Sequence, residues 1–243
     1  MQVGFAGALH LILFGLILPY LAFKTVRALA TRPLPPKEKF LASQIVTLAV
    51  FLVLSALVGR LEWISLFPPH IPAPSGLGLG VATLVAMITL MRPLWRKRVE
   101  ERSRKVWLFM PRTAKQRHLW IGCSLAAGIS EEVTYRGVMF ALLWRLTGSA
   151  WAAALIAAAV FAISHMAQGG RSVAIIFGMA LAFQALAWFT GSLYVGMAVH
   201  ALYDIAAGLG YARYGEKLGY PVEPMPFAIV RGDGGLAQLR RRV

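Results

Sequence analysis

Runs of apolar residues set the rhythm of this chain. They cover Val3 to Phe23, Leu41 to Val58, the shorter Gly76 to Met91, and nearly everything from Leu119 to about Leu209. The runs are continuous rather than alternating, a pattern that belongs to helices in lipid and not to half-exposed strands. Backbone amides in hydrocarbon must bond within their own segment, and a helix achieves that. Breakers separate the runs: Pro33, Pro35 and Pro36 in the first gap, Pro68, Pro69, Pro72 and Pro74 in the second. The long last run divides into helices expected at 119–129, 131–147, 151–166, 172–190 and 193–210. Its dense alanines and glycines would let these helices approach closely. The expected fold is all-α: a polytopic integral membrane helix bundle of about eight helical segments.

Composition strengthens this picture. Of 243 residues, 58% are hydrophobic and 14% charged, against about a quarter charged in a soluble domain. Lys and Arg number 25 against 10 acids, a net charge of +15. That excess lies between the apolar runs, as in positive-inside loops, and not over one globular face, so no nucleic-acid partner is expected. The most basic stretch, Arg92 to His118, is expected in the cytoplasm, either on anionic lipid with Trp95, Trp107 and Trp120 at headgroup level or as a solvated loop. No Lys or Arg precedes the first run, which reads as a membrane helix with its N-terminus outside and not as a signal peptide. Eight crossings would then put the end of the chain outside, whereas its arginines (Arg213, Arg231, Arg240 to Arg242) favour the inside. One segment between 119 and 147 is therefore expected not to cross fully. Cys123 is the single cysteine, so an intrachain disulfide and a cysteine zinc cage are excluded. The chain divides into membrane helices with a basic loop (1–118), a polar-interrupted core (119–210) and a tail (211–243), in a multi-pass protein of the cell membrane.

Candidate chemistry lies where polar residues interrupt the last run. A charge at the bilayer centre costs about 2.5 kcal/mol or more, and such residues pair and line cavities. The first interruption holds Glu131, Glu132 and Arg136. Glu132 and Arg136 are four apart, acid first, the better order for a helical ion pair. Glu131 lies about 100° around the helix and is left free. Ser130 is placed to cap the helix, with both acids in its first turn. The second interruption holds Phe161 and His165, the third His200 and Asp204, each pair four apart. Each also has a bland reading: a helix-start charge cluster, a packed histidine, an intrahelical hydrogen bond. Together they are sparse polar groups from three apolar helices that a bundle can turn to one cavity. Glu with His can activate a water, and His with Asp can hold a developing oxyanion.

EEVTYR at 131–136, FAISH at 161–165 and HALYD at 200–204 resemble the three ordered motifs of the CPBP family (CAAX protease and bacteriocin-processing, or Abi) of intramembrane proteases. The resemblance spans about 119–210. It implies a helical membrane fold with a cavity open to cytoplasm and lipid, and peptide-bond hydrolysis on a membrane-associated, lipidated or C-terminally hydrophobic peptide or protein. Glu131 and His165 would activate water and His200 with Asp204 would stabilise the oxyanion; Glu132, Arg136 and Phe161 would support them. Where the CAAX prenyl proteases carry Asn in the last motif, this chain has Asp204. An aspartate donates a hydrogen bond only when protonated; otherwise Asp204 orients His200.

No cofactor is expected. Zinc is the alternative, on Glu131, His165 and His200, three N/O ligands with room for water. No H-E-x-x-H pair accompanies them. Two other classes stay open: a non-catalytic scaffold whose cavity binds a membrane partner or lipid, and a proton-coupled transporter, against which stands the lack of paired repeats.

Overall fold

A computed structural model describes residues 2–68, 72–102 and 104–222. His70 and the tail beyond 222, with Arg231 and Arg240 to Arg242, lie outside the described residues. Within them the chain is all-α. Phe5–Ile12, Leu13–Ile17 and Leu18–Thr31 run on as one helix, α1, with a π-helical turn in the middle. Then come α2 (Lys37–Leu61) and α3 (Pro74–Glu100), and a 3-10 turn, Arg104–Phe109. Ala114–Glu131, Glu132–Met139 and Phe140–Thr147 form the continuous α4. α5 (Ala150–Ser164) leads through the 3-10 turn Met166–Gln168 into α6 (Gly170–Thr190) and α7 (Tyr194–Lys217).

The described helices therefore number seven and not about eight. The segments expected at 119–129 and 131–147 are a single helix, because nothing between Gly128 and Glu131 breaks the hydrogen-bond ladder. That helix carries a bulge and is not among the helices long and apolar enough to cross a membrane. α3 also outruns its apolar stretch. Pro93 removes one backbone donor, yet the helix continues to Glu100 because Trp95 and Val99 beyond it are 3% and 1% exposed in the core. Packing overrides the local breaker. Trp95, Trp107 and Trp120 are buried within the protein: Trp95 packs on Tyr203 and Tyr211, and Trp120 Nε1 donates to the Asp204 carbonyl at 2.9 Å.

Contacts at the two ends show how the chain alternates. At one end, Leu34, Val99, Trp107, Met110, Ala212 and Tyr220 form one cluster. Lys37 lies over the Trp107 ring there and donates to the Met110 carbonyl at 2.7 Å. At the other end, the amides of Gly4 and Gly7 donate to the Glu62 carboxylate, and Arg145 pairs with it at 3.3 Å. Tyr194 donates to the Pro68 carbonyl at this end too. Helices therefore run up and down in turn, with Phe5 and Lys217 at opposite ends. Gly148 and Gly191 terminate α4 and α6 in the left-handed conformation (φ 69° and 65°) that glycine adopts without penalty.

Four helices, α1, α2, α3 and α6, are long and apolar enough to cross a membrane, and α5 is a shorter apolar helix. Their outward residues are large and apolar, among them Leu16, Val53, Leu90 and Phe189. Small residues face inward, such as Ala153, Ala154, Ala157 and Ala158 of α5. Lipid replaces water as the solvent of this surface, so close packing of small side chains holds the interior.

Candidate active site

The site is organised by the bulge in α4. From Glu132 to Met139 the helix adopts π geometry, an insertion that widens one turn and often accompanies functional sites. Ser130 is not the expected cap. It lies inside the helix, 1% exposed, and its hydroxyl has no hydrogen-bond partner among the described residues. The two acids after it diverge: the Glu132 side chain is 1% exposed and the Glu131 side chain 16%. One points into the protein and the other towards the cavity.

Glu132 is doubly engaged. Arg136 Nη1 lies 3.3 Å from its Oε1, the pair expected from the spacing. The guanidinium sits over the Phe161 ring at 4.2 Å, and its terminal nitrogens make no hydrogen bond with the described residues. Charge and the aromatic face hold it there. The second partner, His200, could not be read from spacing, because it lies in α7. His200 Nδ1 donates to Glu132 Oε1 at 2.8 Å. The acceptor is a carboxylate already paired with arginine, so Nδ1 carries a proton and Nε2 faces the cavity. Phe183 stacks on the His200 ring at 5.1 Å and 12°, a second support with no sequence signal beyond an apolar position.

His165 is fixed in a parallel way. Its ring packs on Phe161 at 4.4 Å, and its Nδ1 donates to the Phe161 carbonyl at 2.8 Å. A carbonyl can only accept, so the neutral ring keeps its lone pair on Nε2. That atom lies 3.7 Å from Glu131 Oε1, while His200 Nε2 lies 3.6 Å from Glu131 Oε2. Asp204 Oδ2 is 3.7 Å from His200 Nε2, one helical turn along α7. The structure thus brings together all four residues singled out from the sequence, with Glu132, Arg136 and Phe161 packed behind them. The separations exceed hydrogen-bond length, so these groups converge on one point of the cavity without bonding one another.

Glu131, His165, His200 and Asp204 line a cavity of about 300 Å³. Its walls are apolar, with Met91, Ile176 and Met179 among them, and its rim holds Lys97, Arg98, Lys105 and Arg171. Glu131 and the two Nε2 atoms are the donor types of a three-ligand zinc. However, no three His, Cys, Asp or Glu side chains among the described residues gather closely enough to hold a metal ion.

Residues 113–206 match the family described as Type II CAAX prenyl endopeptidase Rce1-like. This stretch is an Rce1-like domain. It contains EEVTYR, FAISH and HALYD entire, and the family is one of peptidases. The Rce1-like domain carries a peptidase family's motifs, and the four long apolar helices make the chain a multi-pass membrane protein. The curated proteins and the solved structures give no match.

Proposed function

We propose that this chain hydrolyses a peptide bond of a membrane-associated substrate, with a water held between Glu131 and the two histidines. The observation that carries this reading is the single carboxylate facing both Nε2 atoms at 3.6 and 3.7 Å. Glu131 takes the proton as the water attacks the carbonyl carbon, while the Nε2 lone pair of His165 accepts a hydrogen bond from the same water and orients it. The proton then passes to the leaving amine. His200, held by Glu132 at Nδ1 and with Glu131 as the second anion opposite the Arg136 and His200 cations, directs Nε2–H at the developing oxyanion, and protonated Asp204 supplies a second donor. Water reaches the site through the cavity, open to cytoplasm and lipid, while its apolar walls take the hydrophobic part of the substrate. The substrate class in the family's description, a prenylated CAAX protein or peptide, fits such walls. The basic segment 92–118 rests on anionic lipid at the same face. The site residues form the catalytic core 119–210, carried by the helices of 1–118.

Glu131→Gln should lower cleavage of a prenylated fluorogenic peptide by about 10²–10⁴-fold, the usual size of a lost general base. Membrane insertion and Tm should be unchanged. The parent should keep its activity in 1,10-phenanthroline. Full activity in Glu131→Gln sinks the mechanism; loss to the chelator, restored by zinc, replaces it with the three-ligand metal reading.

A further inference from the structure

The catalytic reading above leaves unused two cations that lie against the backbone just beyond His165. Arg98 Nη1 donates to the Gln168 carbonyl at 3.0 Å, and its Nη2 to Ser172 Oγ at 2.7 Å. Lys105 Nζ donates to the Ala167 carbonyl at 2.8 Å. Arg98 ends α3 and Lys105 belongs to the turn Arg104–Phe109, so both stand outside the matched stretch 113–206.

The chain between α5 and α6 needs such anchors. His165 is the C-cap of α5, and the last carbonyls of a helix have no partner within it. Those carbonyls carry the negative end of the helix dipole, which favours cations beside them. The 3-10 turn Met166–Gln168 buries no residue, and it closes on Gly169 at φ 112°, ψ 155°, a conformation essentially confined to glycine. The ring of His165 is tied to its own helix through Phe161; the backbone that follows closes its own turn, with the Gln168 and Gly169 amides donating to the His165 and Met166 carbonyls at 2.9 Å, and its Ala167 and Gln168 carbonyls are reached by Lys105 and Arg98 from elsewhere. Burial, and then the charge of Arg98, hold the Lys105 ammonium below its ordinary range. Among the described residues neither cation has a carboxylate partner; their acceptors are the Ala167 and Gln168 carbonyls and the Ser172 hydroxyl.

We infer that Arg98 and Lys105 are positioning residues: they cap the α5–α6 turn from outside the Rce1-like domain and so hold His165 Nε2 at its distance from Glu131. The inference rests on the catalytic reading for its effect on rate, but not for its effect on the turn.

Two measurements on the full chain in nanodiscs separate these. In Arg98→Gln, amide exchange at 167–172 should rise by about tenfold or more while α1 and α2 keep their protection. On the prenylated fluorogenic peptide, kcat should fall by about 10- to 100-fold with KM within about twofold, as expected when a catalytic group is misplaced. Lys105→Met should act likewise and Lys105→Arg should rescue it; Arg98→Lys, which keeps charge and bulk, covers the case that Arg98→Gln does not fold. Unchanged exchange at 167–172 overturns the inference. So does a rise in KM at constant kcat, which would make these cations substrate contacts. If Glu131→Gln proves as active as the parent, the catalytic reading fails, and exchange alone still decides whether the turn is clamped.

Discussion

At the scale of single residues, the charges misplaced in an apolar sequence carried most of the information. Hydropathy alone picks out Glu131, Glu132, Arg136, His165, His200 and Asp204, because each is expensive in hydrocarbon and must be compensated. The helical spacing of Glu132 and Arg136 gave their ion pair. It could not give the bond from His200 to Glu132, since those residues are 68 apart and meet only when α4 packs on α7. That bond makes Glu132 more than one half of a clamp: it sets which nitrogen of His200 faces Glu131. The role of Asp204 is open to direct test. Asp204→Asn preserves a donor and should stay within about tenfold of the parent, whereas Asp204→Ala should lose about 10²–10³ in kcat, the size of one oxyanion donor. If Asn is as poor as Ala, the carboxylate orients His200 instead of donating.

At the scale of elements, helix positions followed from the apolar runs, but continuity did not. The end of the apolar run at Met91 and the polar cluster after Gly128 each looked like an end, and neither is. In both places burial of the residues beyond outweighs the local signal. The π turn of α4 had no visible signature, because it depends on what the neighbouring helices accept: Thr134 within it contacts Ser55 of α2 at 2.9 Å. Gly128 is the other requirement of this helix. A Cβ there would lie 2.7 Å from the Met197 carbonyl oxygen and 2.8 Å from the Ala201 amide nitrogen of α7. Both are backbone atoms and cannot turn aside. Gly128→Val should therefore push α4 from α7 at the level of Glu131 and His200. We expect a loss of about 1–3 kcal/mol in stability, the usual size of overpacking, read as a lower Tm in detergent. Activity should fall with it, and Gly128→Ala should lie between; a Gly128→Val chain with parental Tm and rate would show that the helices are not in contact there.

At the scale of the whole molecule, the seven described helices alternate in direction, so charge can be compared between the two ends. Lys37, Arg98, Lys105, Arg112 and Lys217 all gather at the end opposite Phe5, where the positive-inside rule wants them together on the cytoplasmic side. In a Cys123→Ser background, Lys115→Cys and Lys217→Cys should react with an impermeant maleimide from one side of sealed vesicles, and Ser149→Cys from the other. Labelling of all three from one side would contradict the alternation. The family match begins at residue 113 and leaves α1 to α3 unclaimed, as the sequence did, since these helices carry no recognisable motif.

The buried polar residues behind the π turn bear on how separable that matched stretch is. His10 of α1, 2% exposed, contacts the Thr134 carbonyl at 3.4 Å, and Ser55 of α2 meets the Thr134 hydroxyl. Both partners lie outside residues 113–206. Cut free of its first hundred residues, the stretch would turn those groups towards acyl chains, and the bulge that parts Glu131 from Glu132 would lose its backing. Grafting it onto foreign helices, or exchanging N-terminal halves between such proteins, would then have to carry the counterparts of His10 and Ser55 along: the boundary of heredity drawn by sequence similarity is not the boundary at which this machine can be taken apart.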